Sequence, residues 1–524
     1  MSVSPLDSSG LASRPELDEV DVLVIGAGVS GIGVAHELVT TLPGTTFTIL
    51  EARERAGGTW DLFRYPGIRS DSDLFTFGFG FKPWKDRQSI ADASRILDYL
   101  DEAIADDNLG ERIRYQHKVI SAAWSSAESR WTVDVERTDT GEQLQIAARW
   151  IFSGAGYYRY DEGFTPEFPG RERFQGQVIH PQHWPEDLDY AGKRVVVIGS
   201  GATAVTLIPA MADKAEHITM LQRTPSYVVP LPRHDPFAIV ARKLLGDRRG
   251  FEAARRKNIA QQRLIYEACQ RFPKASRKVI RRVNKIVLPD GFDVDQHFNP
   301  PYDPWDQRLC AVPDSDLFKA LGTGKASVVT DRIETFTEAG IRLQSGKELD
   351  ADIIVTATGL NLQLFGGVSF TVDDEPVDFS ETVVYRGFMF SGIPNLANVI
   401  GYTNSSWTLK VGLLTEHFGR LLSYMDNRGF TAVRPVVDPT METRPVLDFG
   451  AGYVQRAVAN LPKQGTREPW TMSMNYYKDR KSFAADVADP NLVFTRGASV
   501  VNDAAVSGAV VNEVVTDEAV AETV

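Results

Sequence analysis

The chain has 524 residues, of which 43% are apolar and 24% charged, with a formal net charge of −12. Its length predicts two to four domains, each able to bury a core. The negative charge argues against nucleic-acid binding, which needs a basic surface. Because it has only two cysteines, Cys269 and Cys310, a disulfide framework is excluded and a reducing, cytoplasmic setting is expected.

Both ends of the chain are predicted to be disordered tails. Residues 1–19 are rich in Ser, Pro and acids and lack the apolar segment of a signal peptide. Residues 497–524 are rich in Ala and Val and contain five acids but no Lys or Arg. The longest apolar stretch, residues 195–212, is interrupted by two glycines and a proline, so we predict no membrane span.

The first structured unit is a βαβ motif. An apolar strand over 21–25 leads into Gly26-Ala-Gly28-Val-Ser30-Gly31, a helix follows, and a second strand ends at Glu51. Glycines at these positions let the backbone approach a pyrophosphate at a helix N-terminus. The Glu51 carboxylate can accept hydrogen bonds from ribose hydroxyls. This spacing predicts a dinucleotide site suited to FAD, formed by Gly26, Gly28, Ser30, Gly31 and Glu51.

A second βαβ motif begins at residue 194. Its glycine turn has Ala204 in place of the third glycine, and Arg223 follows the second strand where the first motif has Glu51. A guanidinium can bind a 2′-phosphate that a carboxylate would repel. The pattern therefore favours NADPH, and the alternative is an ordinary surface arginine. The candidate residues are Gly199, Ser200, Gly201, Ala202, Thr203, Ala204, Val205, Arg223 and Thr224.

Two such motifs predict an α/β protein with two Rossmann-like domains, the second inserted in the first. We assign 20–165 and 350–495 to the FAD domain and 175–345 to the NADPH domain, with a helical insertion at about 235–300. Residues 241–290 contain 15 Lys/Arg and 4 Asp/Glu. They predict either a solvated helical face or a surface that contacts anionic lipid.

Two further motifs carry a family resemblance. One runs from Gly57-Gly58-Thr59-Trp60 through Tyr65-Pro66-Gly67 to Asp71, and the other is Phe174-x-Gly176-x-x-x-His180-x-x-x-Trp184-Pro185. Both resemble the signatures of flavin-dependent Baeyer–Villiger monooxygenases. Over residues 20 to 495 the chain is similar to the subgroup that includes the mycobacterial ethionamide-activating FAD-containing monooxygenases.

The resemblance implies roles for single residues. It makes Arg308 the fixed positive charge that stabilises the oxygenated flavin, with a structural salt bridge as the alternative. It makes Asp71 the acidic neighbour of Arg308, although Asp71 also suits a turn or helix cap. It places Thr59, Trp60, Asp61, Leu62 and Val119 along FAD, and Arg69 and Ser70 near NADP. His180 is expected to order the linker rather than to act as a base. The alternating Phe75, Phe77, Phe79 and Phe81 are expected to be strand core, and Trp407 either lines the substrate cavity or packs in the core.

The resemblance implies an enzyme that inserts one oxygen atom from O₂ into ketones and also sulfoxidises thioethers. The alternative is a flavin monooxygenase acting mainly on thioethers, thioamides or amines. A disulfide reductase would need closely spaced cysteines, whereas these lie 41 residues apart, and an NADPH-binding sensor is the non-enzymatic alternative. We expect no metal, a cytoplasmic location with peripheral membrane contact left open, and a homo-oligomer as one option.

Overall fold

The computed structural model describes residues 18–307, 309–447 and 450–497. Arg308 lies outside the described residues, as do positions 1–17 and 498–524 of the predicted tails. The first strand begins at Asp18, so the last two residues of the predicted N-terminal tail belong to a β-sheet.

The chain alternates strands and helices. The α-helices among the described residues are α1 (Val29–Thr41), α2 (Thr59–Leu62), α3 (Leu74–Phe77), α4 (Ala93–Asp106), α5 (Ala202–Met211), α6 (Pro236–Leu245), α7 (Asp247–Arg271), α8 (Pro273–Val287), α9 (Val294–His297), α10 (Asp316–Gly322), α11 (Trp407–Arg428), α12 (Gly452–Ala457) and α13 (Tyr476–Ala484).

The strands among the described residues are β1 (Asp18–Ile25), β2 (Phe47–Glu51), β3 (Ile113–Tyr115), β4 (His117–Ser125), β5 (Arg130–Arg137), β6 (Gln143–Ser153), β7 (Tyr158–Gly163), β8 (Gln177–Ile179), β9 (Arg194–Ile198), β10 (His217–Gln222), β11 (Val228–Leu231), β12 (Cys310–Pro313), β13 (Ala326–Thr330), β14 (Ile333–Phe336), β15 (Gly340–Leu343), β16 (Glu348–Asp350), β17 (Ile353–Thr356), β18 (Leu360–Leu362), β19 (Ser369–Val372), β20 (Glu375–Pro376), β21 (Val384–Tyr385), β22 (Met389–Phe390), β23 (Leu396–Asn398), β24 (Ala432–Pro435), β25 (Thr443–Pro445), β26 (Lys463–Gly465) and β27 (Leu492–Thr495).

The first large sheet has a parallel core in the order β23-β6-β1-β2-β3. Leu23 in β1 lies between Thr48 in β2 and Ile151 in β6. Residues 22–25 are buried, with Val22 and Val24 in one hydrophobic core and Leu23 and Ile25 in another. A strand buried on both faces favours a continuous apolar sequence. Antiparallel β5 and β4 extend the sheet beyond β6, followed by β19 and β20.

The second sheet is wholly parallel, in the order β13-β10-β9-β17-β8. Its strands extend past residue 350, where we predicted the return to the first domain. Ile353 in β17 pairs with Val195 in β9 and with Gln177 in β8, so the chain leaves the second sheet only after Thr356. An isolated apolar strand at this position fits either sheet, and its pairing partners are distant in sequence.

An antiparallel ribbon joins the two sheets. It consists of β7, on the way out of the first sheet, and β18, on the way back from the second. Both crossings of the chain therefore run side by side. The sequence did not predict this ribbon, because its strands are short and irregular in their polarity.

The helical insertion consists of α6 to α9. Asp235 caps α6 by accepting hydrogen bonds from the backbone N–H groups of Phe237 and Ala238. Gly246, with φ of +79°, separates α6 from α7, and Pro273 begins α8. None of the helices in the described ranges is long and apolar enough to span a bilayer.

The phenylalanine run differs from its predicted conformation. Leu74–Phe77 is the short helix α3, capped by Asp73, whose side chain accepts from the backbone N–H of Thr76. Phe75, Phe77 and Phe79 are buried as expected, but they belong to no strand. The capping carboxylate overrides the alternating pattern by stabilising a helical turn.

Candidate active site between two dinucleotide cradles

The first glycine turn connects β1 to α1 and is shaped by close backbone contacts. Gly26 has φ of +92°, a conformation that side chains disfavour. A Cβ on Gly31 would lie 1.9 Å from the carbonyl oxygen of Gly26. Only glycine fits at position 31. Gly28 precedes α1, and no side chain caps the N-terminus of this helix, which suits anion binding there.

Glu51 lies against this turn at the end of β2. Its carboxylate accepts hydrogen bonds from the backbone N–H of Ala27 at 2.8 Å and of Arg53 at 3.1 Å. Burial raises the pKa of Glu51, and the two backbone donors oppose that shift. The carboxylate has further acceptor capacity for ribose hydroxyls.

The loop after Glu51 closes over the first cradle. A Cβ on Gly28 would lie 3.6 Å from the Cα of Gly58, and α2 begins at the next residue, Thr59. Buried Asp61 is held by arginines, with Arg53 at 2.7 Å and Arg64 at 3.3 Å. The predicted FAD residues Thr59, Trp60, Asp61 and Leu62 thus form one short helix beside the glycine turn.

Val119, predicted to contact adenine, is buried in β4 opposite Val135 in β5. The strand follows β3, which pairs with β2 at Glu51. Its position on the first sheet is therefore compatible with the predicted role.

The Tyr65-Pro66-Gly67 segment packs directly on the second cradle. The buried Tyr65 hydroxyl hydrogen-bonds the Thr203 side chain at the start of α5, and burial raises the Tyr65 pKa to about 12. Gly67 has φ of +77°, and a Cβ there would lie 2.6 Å from the Cβ of Ala210 in α5. This motif therefore brings the two cradles together.

The residues after Gly67 differ in their surroundings. Arg69 is almost fully buried and paired with Asp316 of α10, while the buried Ser70 hydroxyl accepts from the Ala91 N–H at 3.1 Å. Asp71 is exposed at a bend. The helix cap considered for Asp71 is supplied by Asp73 instead.

The second glycine turn connects β9 to α5. Gly199 has φ of +139°, and a Cβ there would lie 2.3 Å from the carbonyl oxygen of Ala357. Gly201, in contrast, has no atom within 4 Å of the position of its missing Cβ. Ala202, Thr203, Ala204 and Val205 form the first turn of α5, and Ala204 and Val205 are buried.

Arg223 is exposed just beyond the end of β10. The neighbouring loop is fixed by Ser200, whose hydroxyl donates to the Thr224 carbonyl at 3.1 Å and lies 2.8 Å from the Ser226 hydroxyl. A guanidinium and several hydroxyls thus lie at the edge of the second cradle, where the adenosine end of a dinucleotide is expected.

The Phe174–Pro185 motif forms the edge of the second sheet and contacts the ribbon. Gly176 is required because a Cβ there would lie 2.4 Å from the Asp352 carbonyl oxygen. The His180 Nδ1 accepts from the Gln182 N–H at 3.2 Å, so its Nε2 donates to the Gly359 carbonyl at 3.2 Å. Burial lowers the pKa of His180, which suits a neutral, ordering side chain.

Sequence reasoning missed the contact between Trp407 and the first cradle. Its indole N–H donates to the Ser30 hydroxyl at 2.9 Å, and its ring stacks on Tyr157 at 5.3 Å. Trp407 is half-buried and packs against the core. No sequence signal links residues 377 positions apart.

A second missed cluster ties the helical insertion to this region. Gln262 of α7 donates to Asp73 at 2.8 Å and accepts from Ser405, two residues before Trp407. Asn258 also donates to Asp73 at 2.8 Å. One face of α7 is therefore anchored beside the first cradle.

Both cradles fit the dinucleotides that the sequence predicts. The first offers a helix N-terminus between Gly28 and Gly58, with a carboxylate at the next strand end. The second offers open space above Gly201 and a guanidinium at the corresponding strand end. Two nucleotide cradles, joined by one ribbon and touching through Tyr65 and Thr203, define a two-dinucleotide flavoprotein oxidoreductase.

Comparisons with known proteins assign the family. Residues 79–240 match the model for flavin-binding monooxygenase-like proteins, and residues 24–94 match that for an NAD(P)-binding Rossmann-like domain. The chain is 53% identical over 466 residues to the FAD-containing monooxygenase EthA of Mycobacterium tuberculosis, covering 88% of this chain and 94% of that protein. The chain belongs to this family of FAD-containing monooxygenases.

Solved structures share the fold. An oxidized steroid monooxygenase bound to NADP superposes with a TM-score of 0.72 at 22% identity, covering 91% of this chain and all of the other. An ε-caprolactone-bound cyclohexanone monooxygenase gives 0.70 at 23% identity, with the same coverage. The predicted α/β class with two Rossmann-like domains is confirmed. The enzyme is an NADPH-dependent flavin monooxygenase, and FAD and NADPH are its cofactors.

Proposed function

We propose that this enzyme is a Baeyer–Villiger monooxygenase that converts ketones into esters or lactones and also sulfoxidises thioethers. A ketone, O₂, NADPH and a proton would give the ester, NADP⁺ and water. When bound, NADPH supplies two electrons to the flavin, and the reduced flavin activates O₂. The substrate partners are accordingly a small ketone or thioether and O₂.

The Phe174–Pro185 motif carries this proposal. Its sequence matches the ketone-oxidising signature at every fixed position, ending in Trp184-Pro185. Two of its residues also make specific contacts: Gly176 lies close to the Asp352 carbonyl, and His180 hydrogen-bonds the Gly359 carbonyl immediately before β18 of the ribbon. The motif is thus built into the connection between the cradles and is more than a chance match.

The residues of the cradles receive proposed roles on this basis. Gly26, Gly28, Ser30, Gly31 and Glu51 would hold the FAD pyrophosphate and ribose, with α2 and Val119 along the same cofactor. Residues 199–205, Arg223 and Thr224 would hold NADPH. Arg69 and Ser70 would lie near NADP, where Asp316 pairs with Arg69 and the Ala91 N–H donates to the Ser70 hydroxyl.

Arg308 and Asp71 are the proposed catalytic pair. A fixed cation in a water-poor site stabilises negative charge as it develops on the reacting oxygen, an effect worth about 10²- to 10³-fold in rate. We expect Arg308→Ala to lose most ester formation while retaining the flavin. Retention of ester yield by this variant would contradict the assignment.

The alternative is an enzyme that acts mainly on thioethers, thioamides or amines. The family relationship accommodates both, since the flavin chemistry is shared. A mixture of one linear ketone and one thioether, supplied with limiting NADPH, separates them. Ester together with sulfoxide supports the proposal, whereas sulfoxide alone supports the alternative.

Domain assignment and location complete the proposal. The FAD domain would comprise residues 18–165 and those after the ribbon, and the NADPH domain those from 175 to 356. The enzyme would work in the cytoplasm.

A further inference from the structure

The helical insertion exposes an unusual amount of apolar surface. Of the fifteen large hydrophobic side chains exposed on the described residues, eleven lie between Phe237 and Val287. Leu244 and Ile286 are each 75% exposed and Leu264 is 70% exposed. Clustered exposure of this kind marks an interaction surface, whereas single exposed apolar residues are ordinary.

Helix α8 shows how this surface is organised. Val279 and Ile286 lie seven residues apart and therefore share one face of α8, where both are exposed. Phe272, which immediately precedes the helix, is exposed as well. Lys278 and Arg282, four residues apart, line one side of that face. The opposite face of α8 is anchored to the protein through buried Asn284, which donates to the Val228 carbonyl at 3.1 Å.

Helices α6 and α7 extend the same kind of surface. Phe237, Val240 and Leu244 share one exposed face of α6, while Ala238 and Ala241 are buried. Asp235, which caps the start of α6, pairs with Lys257 of α7, so α6 packs on the side of α7 that carries Lys257. Leu264 lies two turns further along α7 on that same side. Leu264 and Ile265 therefore continue that side where α6 no longer covers it.

The charge of the insertion indicates what it binds. Seven of its bases are exposed and form no ion pair with another described residue: Lys243, Arg249, Arg256, Arg271, Lys274, Lys278 and Arg282. Residues 241–290 carry a net charge of +11 in a chain of −12. Two copies of such a face would repel each other in a symmetric dimer.

We propose that α6, α7 and α8 form a docking surface for the anionic phospholipid surface of a membrane. The apolar side chains would enter the headgroup region, and the unpaired bases would attract the lipid phosphates. The acidic remainder of the protein would be repelled, so the protein would bind in one orientation. This inference goes beyond the proposed function and does not depend on it.

Flotation of the full-length, FAD-loaded enzyme with vesicles tests the proposal. We expect binding to phosphatidylcholine vesicles that contain phosphatidylglycerol, weaker binding as salt is raised, and little binding to phosphatidylcholine alone. The variant K274E/K278E/R282E should partition about a hundredfold less. The variant V279S/I286S should also bind less, at every salt concentration.

Matched controls make the result specific to the insertion. R87E/K193E/K214E removes three exposed bases elsewhere and changes the net charge equally, and V436S removes an apolar side chain that is 46% exposed outside the insertion. Both should bind like the wild type. The absorbance of the bound flavin confirms that each variant is folded, and this measurement is independent of vesicle binding.

Several outcomes would overturn the proposal. One is equal binding by the α8 variants and the wild type. A second is absence of binding to anionic vesicles, especially if the α8 variants dissociate an oligomer in sedimentation velocity. A third is loss of binding when the chain is ended at Gly497, because the lipid contact would then lie in the acidic C-terminal segment. Ketone and thioether turnover is measured without vesicles, so the proposed function is tested separately from membrane binding.

Discussion

The indole N–H of Trp407 donates a 2.9 Å hydrogen bond to the hydroxyl of Ser30. Ser30 lies in the first glycine turn and Trp407 begins α11, so the bond joins segments that are 377 positions apart in the chain. The ring of Trp407 also stacks on Tyr157, just before the ribbon. One side chain thus links the cradle, the last long helix and the crossing point between the sheets.

Trp407→Phe should weaken FAD binding without unfolding the protein. The phenyl ring retains apolar packing but removes the donor to Ser30, a change worth about 1 kcal/mol, or roughly fivefold in the FAD dissociation constant. Flavin release measured by fluorescence reports the change. Trp84→Phe is the control, because buried Trp84 makes a comparable bond to the carbonyl of Gln88, which belongs to neither glycine turn; an equal loss of FAD in both variants would contradict the account.

Gly201→Ala should impair NADPH binding while leaving the fold and the flavin intact. Its Cβ would meet no protein atom within 4 Å but would occupy space that we assign to the pyrophosphate, so the NADPH dissociation constant should rise about tenfold or more. Stopped-flow flavin reduction measures this. Gly412→Ala, also in open space but in α11, should change nothing, and unaltered NADPH binding by Gly201→Ala would argue against the second cradle.

Much of the cradle geometry could be predicted from sequence because it is local. Glycine spacing, a following helix and a strand end such as Glu51 or Arg223 lie within about 25 residues of one another. Contacts such as Arg69 with Asp316 join residues 247 positions apart, and no local pattern encodes them. The sheet to which β17 belongs could not be predicted for the same reason, since its pairing partners in β8 and β9 lie more than 150 positions earlier in the chain.

Arg223→Ala should reduce the preference for NADPH over NADH. Loss of a charge-assisted, two-pronged contact to the 2′-phosphate is expected to cost about 1.5–3 kcal/mol, or 10- to 100-fold in kcat/KM for NADPH. The value for NADH should stay nearly constant, because NADH has no such phosphate. Arg223→Lys should retain part of the preference; equal losses for both nucleotides would point to a structural role.

Acid should destabilise the enzyme through His417. Burial, aided by the nearby positive charges of Arg386 and Arg420, lowers the pKa of His417 to about 3. In the unfolded chain this histidine is protonated below a pH of about 6.5, whereas in the native state it stays neutral until the pH approaches 3. As the pH falls between these two values, the free energy of unfolding therefore decreases by up to about 1.4 kcal/mol per pH unit.

Thermal midpoints measured from pH 7 down to pH 4.5 check this dependence. His417→Asn keeps a donor for the Phe483 carbonyl, which His417 Nδ1 contacts at 3.0 Å, and should show a shallower loss of stability. Exposed His234→Asn should follow the wild type. Parallel curves for His417→Asn and wild type would refute the role of His417.

Product analysis under ¹⁸O₂ tests ketone oxygenation most directly. Purified, FAD-loaded enzyme is given NADPH and a linear ketone, and the ester is examined by mass spectrometry. The account predicts an ester that contains one ¹⁸O atom for each NADPH consumed in coupled turnover. NADPH oxidation that yields only hydrogen peroxide, across linear, cyclic and aryl ketones, while a thioether gives labelled sulfoxide, would contradict it.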